Sequence, residues 1–419
     1  MSKKRNIDQN IVHNEMMKKK SGSSSSEEQV LCFGLLADLH YMDADNATNY
    51  AKTKIRRFRQ SLSILQQAAD VFEDNNTNFN ILLGDIIDGT AHSISDGLHL
   101  RGLDTVRALT DGTRAQWYFT MGNHEFYNFT RSELRHSTGY MPSPAPTARS
   151  SLSSASRNAT VGLNTADPTD SLYYSFYPQR TVTHFRVIVL DGYDTSSIGA
   201  STPEQAAYSE ALLREKNPAY AAGDSNWFAS LPKENLRYVP FNGGVGNTQL
   251  AWLEAQLQEV VRLGERCFIV CHMPLDPRSS SAQNPLWNYE DVLSAVHTHS
   301  RIDNSQRQTR SGSKNKNGVA AADAGTKPCS FSSAVIAVIS GHAHNGGYYN
   351  DPISGIHHIT PPAPVECDED EVSYGMFRVM AAAGTGWNTT VDRSSYVEVE
   401  WTGKTPVKSV HPWPKRMYF

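Results

Sequence analysis

The chain has 419 residues, 39% of them hydrophobic, and carries 39 Lys and Arg against 43 Asp and Glu for a net charge of −4. That balance supplies no global positive field for nucleic acid, and no apolar run approaches the ~20 residues a membrane helix needs. An ordinary globular protein is expected, with neither nucleic acid nor membrane among its partners.

Residues 1–29 hold Lys3, Lys4, Arg5 and Lys18 to Lys20, followed by a serine run. With no apolar segment before Val30, they read as a disordered tail and not as a secretory signal. From residue 30 to 419 a single domain is expected. It begins with "VLCFGLLADLH", an apolar run of strand length ending in Asp38 and His40. Phe58, Leu62, Leu65, Ala69 and Phe72 then step by 4, 3, 4 and 3, the stripe of an amphipathic helix. "FNILLGDIID" ends in Asp85 and Asp88, and "AQWYFTMGNHE" ends in Asn123, His124 and Glu125.

Residues 141–168, rich in Ser, Pro, Ala and Thr, read as a surface insertion. "FRVIVLDGYD" is a further strand, ending in Asp191 and Asp194. Leu250, Leu253, Leu257 and Val260 mark a second helix, with Asn247 or Thr248 placed to cap it. "RCFIVCHMP" ends in His272, residues 301–327 form a second polar insertion, and "SAVIAVISGHAH" ends in His342 and His344. Strands alternating with helices make an α/β protein, and such sheets place their sites at the C-terminal ends of the strands.

Five of those strand ends supply Asp38, His40, Asp85, Asn123, His272, His342 and His344. All seven are oxygen or imidazole donors, a set that suits manganese, iron or zinc. They are too many for one tetrahedral ion. Two divalent ions sharing one carboxylate would use them all, and Asp85 is the natural bridge. Such a pair, ~3.5–4 Å apart, clamps the attacking and leaving oxygens of an in-line displacement at phosphorus, with a hydroxide between the ions as nucleophile. His124 directly follows the ligand Asn123, so it can face the substrate and hold transition-state charge or protonate a leaving oxygen. Asp88 is placed to orient His124, and Glu125 is expected to make a structural hydrogen bond. His92, His99, His136, His297 and His299 lie outside this scheme, and His357 and His358 decorate a strand.

The ordered set "DLH", "GDIID", "GNHE", "CHMP" and "GHAH" resembles the calcineurin-like metallophosphoesterases. The resemblance implies a four-layered αββα sandwich with a dinuclear metal centre between its sheets. One ion would be held by Asp38, His40, Asp85 and His344, the other by Asp85, Asn123, His272 and His342, with His124 catalytic. Longer phrases, among them "GNHEFYNFTR", "VLDGYD", "VPFNGGVGNTQLAWL", "LWNY" and "GHAHNGGYYND", are similar to the manganese-dependent ADP-ribose/CDP-alcohol diphosphatases. That finer resemblance implies two manganese ions, with iron, zinc or magnesium as alternatives. It also implies hydrolysis of ADP-ribose to AMP and ribose 5-phosphate, or of CDP-choline to CMP and phosphocholine. Some members carry Gln at the position of His40, and the tail and two insertions are longer than the family norm.

For the organic part of the substrate the candidates are Tyr50, Arg56, Phe241 and Asn242. Tyr50 can stack on a base, Arg56 at the start of the striped helix can pair with pyrophosphate, and "FNGG" can wall a base or ribose. The plain alternatives are a surface tyrosine, a salt-bridge arginine and a turn. Competing functions are a phosphomonoesterase, a cyclic-nucleotide phosphodiesterase, or a scaffold that keeps the fold without catalysis. Gly89-Thr90 after Asp88 speaks against a protein phosphatase, which has Arg-Gly there. Cys32, Cys267, Cys271, Cys329 and Cys367 show no close-spaced zinc pattern. Reduced, buried thiols in an intracellular, cytoplasmic protein are the expectation.

Overall fold

The computed structural model describes residues 27–49, 51–141, 171–178, 184–303, 331–382, 395–406 and 409–419. The apolar runs become two six-stranded sheets. One is ordered Arg416–Tyr418, Tyr396–Gly403, Ser373–Ala382, Glu27–Leu36, Phe79–Leu82, Gln116–Phe119. Its last three strands are parallel and the rest pair antiparallel. The other is ordered Gly347–Asn350, His357–Thr360, Val335–Ser340, Arg266–Cys271, Phe185–Leu190, Tyr174–Phe176. Its four central strands are parallel, and an antiparallel strand closes each edge.

Side-chain alternation explains why the sheets stack. Along Arg266–Cys271, Phe268 and Val270 enter the core shared with the first sheet, while Cys267, Ile269 and Cys271 face the other way. The inner faces meet through rings: Phe33 stacks between Phe79 and Phe377 and meets Phe268 edge-on at 5.2 Å. Helices cover both outer faces. Phe58–Asp74 buries Phe58, Leu65, Ala69 and Phe72 of the expected stripe, each large side chain contributing about 1.5–3 kcal/mol of burial. On the far side Asn247–Leu263 and Tyr289–His299 cover Ile269 and Val338. The layers run helix, sheet, sheet, helix, as the αββα expectation has it.

Three details differ from the sequence reading. The first strand begins at Glu27 and pairs with Ser373–Ala382, so the last residues assigned to the tail are sheet. The second helix starts at Asn247 with Gly246 in the cap position and no side-chain cap bond, so neither Asn247 nor Thr248 caps it. Arg56 lies in a two-residue strand, Ile55–Arg56, ahead of the helix and not at its start. Most of the two insertions, 142–168 and 304–327, falls outside the described residues, as does Tyr50. Among the described residues no helix is long and apolar enough to cross a membrane.

Candidate metal centre

Parallel strands of both sheets deliver their C-terminal ends to one place, and the backbone there is bent hard. Asp38, His40, Asp85 and His342 all have positive φ, between 42° and 64°. Side chains in that left-handed region cost about 1 kcal/mol or more each and persist where the surroundings impose them, most often at functional sites. Tight approach also demands glycine. A Cβ at Gly122 would fall 2.1 Å from Asp85 Oδ1, and one at Gly84 would fall 2.7 Å from His272 Nδ1.

The two aspartates share one pattern. Asp38 Oδ1 accepts the His342 N–H at 2.8 Å, leaving Oδ2 buried with no partner. Asp85 Oδ1 accepts the His124 N–H at 2.8 Å, leaving Oδ2 equidistant, at 3.4 Å, from Nε2 of His40 and Nε2 of His272. Each carboxylate is anchored by one oxygen and presents the other.

Histidine tautomers follow from the groups behind the rings. His272 Nδ1 faces the Leu83 carbonyl at 2.6 Å, and His344 Nδ1 faces Glu366 Oε1 at 2.8 Å. Both acceptors require N–H at those positions. Asn242 donates its amide protons to the carbonyls of Arg237 and Gln283, so its Oδ1 must accept from His342 Nε2, 2.8 Å away. His40 Nδ1 lies 3.3 Å from Asp88 Oδ2. The opposite nitrogens therefore carry lone pairs, and they face one another. His40 Nε2 and His344 Nε2 are 3.1 Å apart, and His272 Nε2 and His342 Nδ1 are 3.2 Å apart.

Two lone pairs at such a distance repel unless a cation lies between them. The same contact occurs on either side of Asp85 Oδ2, so the residues fit two divalent ions sharing that oxygen. Ligand atoms of Asp38, His40, Asp85 and His344 lie within 4.8 Å of one another, and so do those of Asp85, His272 and His342. Hard oxygen and imidazole donors without thiolate suit manganese. The local field favours positive charge as well. Burial opposes charge there, yet His272 and His124 hold the Asp85 carboxyl well below its usual range. Burial, with the Asp85 charge adding to it, pushes Asp38 up to about 6 against the pull of His272 and His344.

Asn123, also buried, begins the short helix Asn123–Asn128, with its Oδ1 3.4 Å from the Tyr193 hydroxyl. The rest of the "GNHE" loop is held by Glu125. Its carboxylate accepts the N–H groups of Asp85, Ile86 and Gly122 at 2.6–2.8 Å, clipping two strand ends together. This is the structural role expected of it. His124 follows, 12% exposed at its side chain, its ring edge-on to His40 at 4.2 Å.

Asp88 differs from expectation. Its Oδ2 reaches Arg56 Nη1 at 2.8 Å and His40 at 3.3 Å, but stands 3.7 Å from His124 Nδ1. What orients His124 is backbone: the Gly89 N–H donates to Nδ1 at 2.5 Å. Asn242 also departs from its substrate-binding assignment, since it is fully buried and all its amide hydrogen bonds go to protein. Arg56 does pair with an acid, Asp88, yet its buried Nε has no acceptor. Phe241 is half-buried beside His342, with Trp227 and Phe228 each 6.2 Å from its ring.

Sequence reasoning missed Glu366, Tyr193, Trp227 and Phe228. Glu366 sits in a 3-10 turn, Pro364–Glu366, far along the chain from His344, and no motif announces the pairing. The two aromatics next to each other at 227 and 228 were a signal that residue type alone could have raised.

Over residues 33–228 the chain matches the calcineurin-like phosphoesterase family, the class that this fold and this centre define. A manganese-dependent ADP-ribose/CDP-alcohol diphosphatase from Xenopus laevis is 32% identical, over 84% of this chain and 86% of that protein. One of the same name from Danio rerio is 31% identical, over 81% and 89%. The fold is similar to a crystal structure of a dimetal phosphatase from Danio rerio, at 27% identity and a TM-score of 0.65, covering 90% of this chain and all of that one. This chain belongs to the family of manganese-dependent ADP-ribose/CDP-alcohol diphosphatases.

Proposed function

We propose that the protein hydrolyses the pyrophosphate bond of ADP-ribose, giving AMP and ribose 5-phosphate, and of CDP-alcohols such as CDP-choline, giving CMP and phosphocholine. The observation that carries this is the pair of facing imidazole lone pairs on either side of Asp85 Oδ2, with a further histidine beside them. The names of the relatives support the substrate class. Two divalent ions held there would supply charge to the phosphoryl oxygens and a nucleophilic water at neutral pH.

The chain's own residues do the rest. Asp38, His40, Asp85 and His344 would hold one ion, and Asp85, Asn123, His272 and His342 the other. His124 keeps its Nδ1 on the Gly89 N–H, so Nε2 bears the proton and donates toward the phosphoryl group. Asp88 fixes His40 and Arg56. The leaving group is itself a phosphate, which needs less protonation than an alkoxide. Arg56, 17% exposed and held through Nη1 by Asp88, pairs with the second phosphate through the open part of its guanidinium, and Phe241 offers a ring for the base. Tyr50 keeps its assignment as a stacking residue, outside the described residues. A cytoplasmic setting agrees with Cys32, Cys267, Cys271 and Cys367, all buried and unpaired.

Assaying the manganese-loaded protein on ADP-ribose, CDP-choline, cyclic AMP and p-nitrophenyl phosphate tests the proposal. Turnover of the first two well above the others is expected. Turnover of cyclic AMP or p-nitrophenyl phosphate alone would overturn it in favour of a phosphodiesterase or phosphomonoesterase.

A further inference from the structure

Tyr127 is the one residue of "FYNF" whose ring is left open, at 41% exposure, although it sits at the centre and not on a remote surface. Its ring meets His124 edge-on at 5.4 Å. It packs over Gly89 so closely that a Cβ there would lie 2.4 Å from Tyr127 Cδ2 and 2.9 Å from His124 Nδ1. Gly89, His124 and Tyr127 thus form one unit, in which a missing side chain lets the backbone N–H reach one ring and the second ring close over it. The phenol lies near the Asn123 side chain.

A tyrosine that merely filled space would turn its hydroxyl to solvent and pack its ring on apolar neighbours. Here the neighbours are a catalytic imidazole, a ligand amide and a glycine. We propose that Tyr127 is a substrate-binding residue whose hydroxyl donates to a non-bridging oxygen of the phosphoryl group under attack, beside the Nε2–H of His124. This rests on the phosphoryl-transfer reading above. The phenolic O–H is a neutral donor at working pH and transfers no proton. Tyr127 and His124 would supply hydrogen bonds to the phosphoryl oxygens, adding to the positive charge that bound ions would supply.

The test compares wild type with Tyr127→Phe, which keeps the ring and removes only the hydroxyl. Both are manganese-loaded and assayed on ADP-ribose and on bis(p-nitrophenyl) phosphate, with binding of inorganic phosphate followed by calorimetry and metal content counted. A donor to a charged oxygen predicts a fall of about tenfold or more in kcat/KM on both substrates and weaker phosphate binding, with manganese content and Tm unchanged. Kinetics and phosphate affinity within twofold of wild type would overturn it. So would a loss of manganese matching the loss of rate, which would make Tyr127 only a positioning residue for Asn123. If wild type cleaves bis(p-nitrophenyl) phosphate but not ADP-ribose, the diphosphatase reading fails alone. The hydroxyl's contribution is then read on the substrate that turns over and on phosphate binding.

Discussion

The backbone N–H of Gly89 donates to Nδ1 of His124 at 2.5 Å, so the imidazole at the centre is oriented by the main chain of the loop that carries Asp88 and not by the Asp88 carboxylate. A peptide dipole holds one tautomer without adding negative charge next to a phosphoryl group, where a carboxylate would repel it. Gly89→Ala puts a methyl between Tyr127 and His124 and should lower the rate on ADP-ribose by about 100-fold, the range for losing a well-placed acid or donor. Manganese content, measured by elemental analysis, should stay at the wild-type value, because the atoms nearest the new methyl belong to Tyr127 and His124.

Asn242 and Glu366 stand behind metal-facing histidines, each fixing a tautomer. Asn242→Ala and Glu366→Ala should each weaken manganese binding by about 10–100-fold, the usual cost of removing such a partner, with KM little changed once the metal is saturating. Titration of the metal-stripped protein with manganese checks this. A raised KM at saturating metal would return Asn242 to the substrate.

The sheets are also tied by a buried ion pair. Arg131 Nη1 meets Asp191 Oδ2 at 2.6 Å, with both side chains under a tenth exposed, and Arg131 also donates to the carbonyls of Tyr193 and Gly199. Arg131→Ala leaves an uncompensated carboxylate and should cost about 3–5 kcal/mol, visible as a drop in Tm or in denaturant midpoint. Arg131→Met with Asp191→Leu should recover part of that, because the stranded charge goes with the pair.

His357 is neutral by construction. Tyr348 donates its hydroxyl to Nδ1 at 2.7 Å, and Nε2 faces the Tyr418 carbonyl at 3.2 Å. Burial lowers its pKa to about 4, against about 6.5 in the unfolded chain. The unfolded state therefore binds more protons between these values. The stability linked to His357 is fully present above pH 6.5 and is lost as pH falls toward 4, by about 3 kcal/mol at most. His358, buried beside Asp276 and also lowered to about 4, adds to the same window. His357→Gln should be less stable at pH 7.5 but should lose less on acidification, measured as Tm against pH from 7.5 to 4.5.

Much of the fold was legible because it rests on local pattern. Runs such as "FRVIVLDGYD" and the 4,3,4,3 stripe from Phe58 state strand and helix directly, and the strand-end letters Asp38, Asp85, His272 and His342 converge because parallel strands end on one side. What the pattern could not show depends on contacts between distant segments. Glu366 reaches His344 only through a turn 22 residues later, and Asn242 meets His342 across 100 residues. The "FNGG" phrase looked like a ligand wall, but its amide faces inward because two carbonyls claim it. Asp88 misled for a related reason: spacing places it near His124, but only the folded loop shows that Arg56 and His40 reach it first. In "GNHEFYNFTR" the packing roles are now clear. Phe126 lies against Tyr193 and Gly199, and Arg131 pairs with Asp191, while Tyr127 meets His124 edge-on.

The most direct test of the account is to count manganese and measure ADP-ribose hydrolysis together in Asp85→Asn and His124→Ala. Asp85 Oδ2 stands between both pairs of metal-facing imidazoles, whereas His124 offers the centre only a donor. Asp85→Asn should lose manganese and activity together, and His124→Ala should retain wild-type manganese while losing about 100-fold or more in kcat. A His124→Ala protein that has lost its manganese, or an Asp85→Asn protein that keeps both ions and its rate, would contradict the shared-carboxylate centre and its separate catalytic histidine.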